Sequence, residues 1–298
     1  MSNSITIAII AGLGGMLGWG FADFFAKKTI DKIGDVASLL WAHTLAASVL
    51  SAYIIFVLIK DGTAGFPDNF SGWLGVAFFG FLQAIVYIFV YKAFAKGKLA
   101  VLNPIFSSYA GLVALLSIFV FGEAVTGNIV LALLLLFCGI LLMNLDLDGL
   151  KVKKLKLDRQ PGLVEIGIAT VLATVWTVYW AHFIAGKNWK IYASLMYIFM
   201  TLTVIIYAKS QKNESLKVKD KTVWKYLAGI GIGEAVAYIS ISYGFGLTSH
   251  VSIVALLSGA FALPAVILAA VFLKEKIHLL QTIAIILILC GVALVAVI

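Results

Sequence analysis

The sequence predicts an all-α polytopic membrane protein of ten transmembrane helices, built as two inverted repeats of five. Composition, the length of the apolar runs and a repeat offset of 152 residues each point there. Of the 298 residues, 62% are hydrophobic and 12% charged. A water-soluble domain carries about 25% charged residues, so that class is excluded. The apolar residues fall in continuous runs of about 20, the length an α-helix needs to cross ~30 Å of hydrocarbon. They do not alternate, which argues against a β-barrel.

The repeat shows in uncommon residues. Tyr91, Glu123, Cys138 and Gly139 return 152 positions later as Tyr243, Glu275, Cys290 and Gly291. Ala110, Leu116, Ala132, Leu135 and Leu142 keep the same offset. In both copies the glutamate stands at a break between two apolar runs. Doubled membrane units of this kind are the usual plan of secondary transporters.

Ten spans follow from the charge clusters and turn signals: 5–26, 36–59, 71–94, 98–120, 127–145, 162–185, 189–208, 223–246, 250–273 and 278–297. The first is too long for a signal-peptide core and lacks a basic flank before it, so it reads as a retained helix. Asn103-Pro104 in span 4 and Pro264 in span 9 predict kinks at equivalent places of the two halves. Gly14 with Gly18, and Gly229 with Gly233, are GxxxG pairs that let spans 1 and 8 approach neighbours closely. Trp41, Trp73, Trp189 and Trp224 lie near span ends and read as an interfacial belt. The organisation is then a first repeat, 1–145, a basic linker, 146–161, and a second repeat, 162–298.

Loops after the odd-numbered spans hold nineteen of the 22 Lys and Arg residues; only Lys60, Lys187 and Lys190 lie on the other side. The positive-inside rule puts the nineteen in the cytoplasm and both termini outside, in the cell (inner) membrane. Five spans per half is an odd number, so the second half runs upside down relative to the first. The net charge of +8 is a topology signal and a contact for membrane lipids, not a nucleic-acid surface.

Ionisable residues inside spans are functional candidates because burial in hydrocarbon is costly. Glu165 lies one turn into span 6 and reads as a partner of the helix N-terminus. Asp23 lies late in span 1 and reads as capping or pairing with Lys27. Glu234 is different: about 11 residues into span 8, it sits roughly 16 Å deep, near the midplane. Gln83 of span 3 reaches a similar depth and aligns, under the repeat, one position from Glu234. Gln83, Tyr87 and Tyr91 share one helix face, and Glu234, Tyr238 and Ser242 another. Trp19, Trp176 and Tyr179 supply deep aromatic rings, and Ser107 a hydroxyl in span 4. The candidate cavity is therefore Trp19, Gln83, Tyr87, Ser107, Trp176, Tyr179, Glu234 and Tyr238, with Glu234 the candidate proton carrier. His43 and His182 read as packing or interface residues, and the glutamates opening spans 5 and 10 as acids at helix N-termini.

The four histidines are scattered, and Cys138 and Cys290 have no histidine beside them. No metal site, disulfide, catalytic constellation or cofactor is expected, and the protein is not read as an enzyme. The cysteines read as small apolar packing. No GxxxxGK[ST] loop occurs, so ATP does not drive the protein directly.

On the segments FGEAV (Phe121–Val125) with Cys138–Gly139, LKEKI (Leu273–Ile277) with Cys290–Gly291, and the opening GWGFADFFAKK, the chain resembles the drug/metabolite transporter superfamily, in particular its EamA-type ten-helix members. The resemblance spans nearly all of the chain. It implies a central cavity formed by spans 1, 3, 4, 6, 8 and 9, with spans 5 and 10 at the periphery. Several described members place both termini in the cytoplasm, whereas the lysine count here argues the reverse. The expected activity is secondary transport of small organic metabolites, amino acids or related compounds, by alternating access, with protons as the coupling ion. The alternatives are a membrane-embedded enzyme acting on lipid and a non-transporting assembly subunit. The first needs a histidine or cysteine cluster near one interface; the second predicts no polar stripe at the midplane.

Overall fold

The computed structural model describes residues 3–62, 65–97, 99–144, 161–212, 214–274 and 277–297. Among these the chain is all helix, in the order α1 (Asn3–Ile33), α2 (Asp35–Asp61), α3 (Phe70–Lys96), α4 (Leu99–Ser107), α5 (Tyr109–Phe119), α6 (Gly127–Asn144), α7 (Leu163–Ile184), α8 (Trp189–Ser210), α9 (Val223–Leu247), α10 (Val251–Gly259), α11 (Ala262–Leu273) and α12 (Leu279–Val297). Eight segments are long and apolar enough to cross a membrane. The shorter apolar helices Ile105–Phe119 and Gly127–Met143 complete the ten predicted spans. The protein is a multi-pass membrane protein. The linker 146–161, apart from Pro161, and Glu275 lie outside the described residues.

One expectation about span shape changes. Span 1 does not end at Ala26: α1 continues to Ile33, and the single residue Gly34 separates it from α2. The Lys-bearing stretch reads as a loop by composition, yet it has no proline or glycine to stop a helix already under way. In spans 4 and 9 the expected kinks appear as interruptions of one or two residues, with Ser108 itself still in right-handed helical backbone. The breaks fall at Ser108 and at Ala260–Phe261, the same repeat offset that relates Tyr91 to Tyr243. Pro264 stands in the first turn of α11, where its missing N–H costs nothing. At the other break, Ser107 Oγ donates to the Asn103 carbonyl and Ser108 Oγ to that of Ile105, at 2.5 and 2.6 Å. These hydroxyls occupy carbonyls that a continuous helix would pair with backbone N–H.

The halves interlock. α1 packs most extensively on α9 and also along α10, both from the second half, and α3 packs on α7 and α8. Exchanging first-half helices for their second-half equivalents maps the α1–α9 contact onto the α3–α7 contact. Close approach of α1 and α9 uses both predicted glycine pairs at once. A Cβ on Gly18 would stand 2.6 Å from the Gly233 carbonyl oxygen, and one on Gly233 would stand 2.5 Å from that of Gly18. Nothing larger than glycine fits either place without moving a backbone.

α6 and α12 pack chiefly on each other, at the periphery. The repeated glycines Gly139 and Gly291 lie in that seam, against Ile288 and Leu136. Cys138 and Cys290 are exposed free thiols, turned outward beside the seam rather than packed inside it. The repeated pair thus keeps register for its glycine. Trp41 behaves as an interfacial residue: Nε1 donates to the Leu216 carbonyl at 2.8 Å, and its ring meets Trp224 edge-on.

Candidate functional site

A cavity of about 80 Å³ lies between the two halves. α1 contributes Trp19 and Asp23, α3 contributes Gln83, Tyr87 and Tyr91, and α4 contributes Asn103 and Phe106. Tyr109 of α5, Trp176 of α7, Glu234 of α9 and Phe261 at the second helix break complete the lining. These elements correspond to spans 1, 3, 4, 6, 8 and 9, the set the resemblance implied. Among the described residues no Lys, Arg or His is in the lining, and eight of the lining residues carry aromatic rings. Ile30, Phe94 and Ile230 carry the lining toward the ends of α1 and α3 and the start of α9, the face that bears the lysine-rich loops.

At the inner end the polar side chains form one chain. Tyr87 Oη donates to Glu234, 3.2 and 3.0 Å from the two carboxylate oxygens. Tyr238 Oη lies 3.4 Å from Tyr87 Oη, and Gln83 Nε2 donates to Tyr238 Oη at 2.6 Å. Glu234 is 5% exposed and Gln83 6%. The helical spacing of four brings Gln83 and Tyr87 to one face, as does that of Glu234 and Tyr238. The α3 and α9 stripes meet as the sequence reading requires. The rings of Trp19 and Trp176 pack edge-on against Tyr238, at 5.8 and 6.0 Å between centroids. Behind them, buried His43 bonds Tyr197 through Nδ1 at 2.6 Å, a packed histidine as expected.

Six of the eight candidates therefore come together: Trp19, Gln83, Tyr87, Trp176 and Glu234 line the cavity, and Tyr238 is bonded directly behind it. Two do not. Ser107 is buried, with its hydroxyl turned back on the Asn103 carbonyl. Tyr179 is 53% exposed and packs edge-on against Phe121 on the outer surface. One residue at α7's start also gains a partner: Glu165 stands in the first turn, as expected, and its carboxylate bonds Lys96 at 2.5 Å.

Asp23 is the functional candidate that sequence reasoning undervalued. It is exposed and lines the cavity. Counted from Ile33 rather than Ala26, it lies ten residues, or roughly 15 Å, inside the end of its helix. Its side chain is at the depth of Glu234. The signal was available as an acid in a helix with no proline or glycine after it before Gly34.

Toward the opposite face a second cavity, of about 380 Å³, is lined by Ser117, Glu123, His182, Phe245 and Thr248, among others. Fully buried Trp180 and Tyr238 stand, by their helix positions, between the two cavities. Glu123 does not cap its own helix α6. Its carboxylate takes the backbone N–H of Ser252 at 2.9 Å and the Ser252 hydroxyl at 2.5 Å, so it caps α10 of the other half, with His250 Nδ1 at 3.8 Å.

A search of curated proteins returned no match. A solved crystal structure, titled only as that of a protein, superposes with a TM-score of 0.78 at 17% identity, covering 98% of this chain and 97% of that one; this likeness speaks for the fold. The model of the EamA-like transporter family matches residues 6–145 and again 160–297, one match per repeat. With both halves matched, the chain belongs to the EamA-like transporter family.

Proposed function

We propose that this protein is a secondary transporter of small amine-bearing organic metabolites, amino acids among them, which works by alternating access with proton coupling at Glu234. The observation that carries the reading is the cavity at the seam of the two repeats, lined by two carboxylates and aromatic rings with no cation among the described residues. Aromatic faces attract ammonium groups, and carboxylates neutralise them. Phosphorylated or sugar-nucleotide substrates would want a buried Lys or Arg, which the lining lacks. At about 80 Å³ the cavity is below the ~300 Å³ of ordinary ligand pockets, so a metabolite needs the lining helices to part. The breaks at Ser108 and Ala260–Phe261 border the cavity and are natural hinges for that motion. The lysine-rich face is assigned to the cytoplasm, in the cell membrane, with both termini on the other side.

Reconstitution in liposomes tests the reading. A pH gradient should drive accumulation of an amine, and Glu234→Gln should abolish that accumulation while passive exchange persists. Undiminished gradient-driven uptake by Glu234→Gln would remove Glu234 from the coupling role.

A further inference from the structure

We propose that Asp23 and Glu234 act as one acidic pair which, with the Gln83 carbonyl oxygen, holds either a proton or the ammonium group of a primary amine lacking a carboxylate. This rests on the reading of the cavity as a transport site for amines and narrows its substrate class.

The pairing follows from the glycine contact. α1 and α9 run antiparallel, and the Gly233 position lies against the Ala22 backbone, a Cβ there standing 3.1 Å from Ala22 N. The next residue on each helix is an acid: Asp23 on α1, Glu234 on α9. Both line the same cavity. Their surroundings differ. Glu234 is buried and bonded by Tyr87, whereas Asp23 is exposed and lines the cavity. Two neighbouring carboxylates in a low-dielectric site do not both ionise cheaply unless a positive charge joins them. A proton meets that requirement, and so does an ammonium group.

Gln83 supplies an independent indication of the ligand. With Glu234 ionised, its carboxylate accepts from Tyr87, Tyr87 Oη accepts from Tyr238, and Tyr238 Oη in turn accepts from the Gln83 amide N–H. This direction fixes which way the amide faces. It leaves Gln83 Oε1, buried and without any protein partner, as an acceptor at the cavity wall. A buried acceptor left unpaired is costly and calls for a donor. Three acceptor groups match the three N–H bonds of a primary ammonium. Among the described lining residues no cation stands ready for a substrate carboxylate. In the exchange, the amine arrives as R–NH₃⁺ and one proton leaves the pair to water on the side from which it came, so the charge of the site is unchanged.

The titratable groups facing the pair are the phenols of Tyr87, Tyr91, Tyr109, Tyr197 and Tyr238 and the His43 imidazole, held by Tyr197. The Lys27 side chain, the expected partner of Asp23, lies outside the described residues; of the other lysines toward that end, Lys28 lies over Phe24 and Tyr226, Lys92 over Tyr207, and Lys96 bonds Glu165.

The test is equilibrium binding of tyramine and of tyrosine, from pH 5 to 9, to the purified full-length protein, with monodispersity and melting temperature checked for every variant. Wild type should bind tyramine more weakly as the pH falls, and tyrosine at least about tenfold more weakly than tyramine at neutral pH. Asp23→Asn removes a like charge from Glu234, so the pH midpoint of tyramine binding should move acid-ward by about one unit or more. Asp23→Glu should retain the wild-type midpoint. An unmoved midpoint in a folded Asp23→Asn protein overturns the pair while leaving amine transport intact. Equal affinity for tyrosine overturns the substrate class. Absence of any amine binding or gradient-driven flux in wild type overturns the underlying transport reading as well.

Discussion

The two cavities set two glutamates side by side, and their partners tell them apart. Glu123, on the face away from the lysine-rich loops, gives both carboxylate oxygens to Ser252 and thereby ties one half of the protein to a helix start of the other. Glu234 receives the Tyr87 phenol, with the Trp19 indole N–H also directed at it, and lines the cavity. An acid whose lone pairs are occupied by backbone and hydroxyl donors is part of the scaffold; one left partly open beside a second acid and an unpaired amide oxygen is available to a ligand. The repeat makes Glu123 conspicuous and Glu234 unremarkable, so internal similarity here marks the architecture and departure from it marks the chemistry.

Variants can break or sharpen that contrast. The largest effect is expected at the contact that brings Asp23 and Glu234 together. Gly233→Leu should force α1 from α9 at a cost of about 3 kcal/mol, lowering the melting temperature in detergent and eliminating amine binding with it. Glu123→Ala comes next. Loss of a buried cap should cost about 1–3 kcal/mol and raise thiol-reagent labelling of a cysteine placed at Thr248, while the pH midpoint of amine binding stays in place. A moved midpoint would show that the two ends are not separate in function. The smallest effect belongs to the surface pair Lys32–Asp220, 2.8 Å apart, which joins the end of α1 to the approach to α9. The Lys32 ammonium and the Thr222 hydroxyl and N–H hold the Asp220 carboxyl below the usual carboxylate range. The folded form therefore favours the ionised acid. The stabilisation is present above the ordinary carboxylate range and is lost as the pH falls through the lowered value. Lys32→Ala should leave melting unchanged at high salt, with a slight difference from wild type at low salt and neutral pH that disappears in strong acid.

Much of this architecture was legible in the sequence because the membrane imposes simple rules. Run length gave the spans, lysine placement gave the basic face, and polar residues at helical spacing gave Gln83, Tyr87, Glu234 and Tyr238. What was not legible depends on contacts between distant segments or on exact helix ends. Asp23 was placed near an interface because span 1 was closed seven residues early. Ser107 satisfied a local carbonyl instead of the cavity, and Tyr179 rotated outward because α7 packs through the Trp176 and Trp180 face. The partner of Glu123 lies in the other repeat, and nothing in a list of residues says which helix start it will reach.

The meeting of Gly18 with Gly233 also has a consequence for biosynthesis. The two residues are more than two hundred positions apart. At about 5–20 residues per second, the first helix waits roughly 10–40 s for its main partner to be made. Through that interval an acid-bearing, glycine-notched segment must be held in the bilayer by something other than its final neighbour. The proposed transport site is therefore finished only when the chain nearly is, so a truncated product retains spans and topology signals but lacks the seam between the halves.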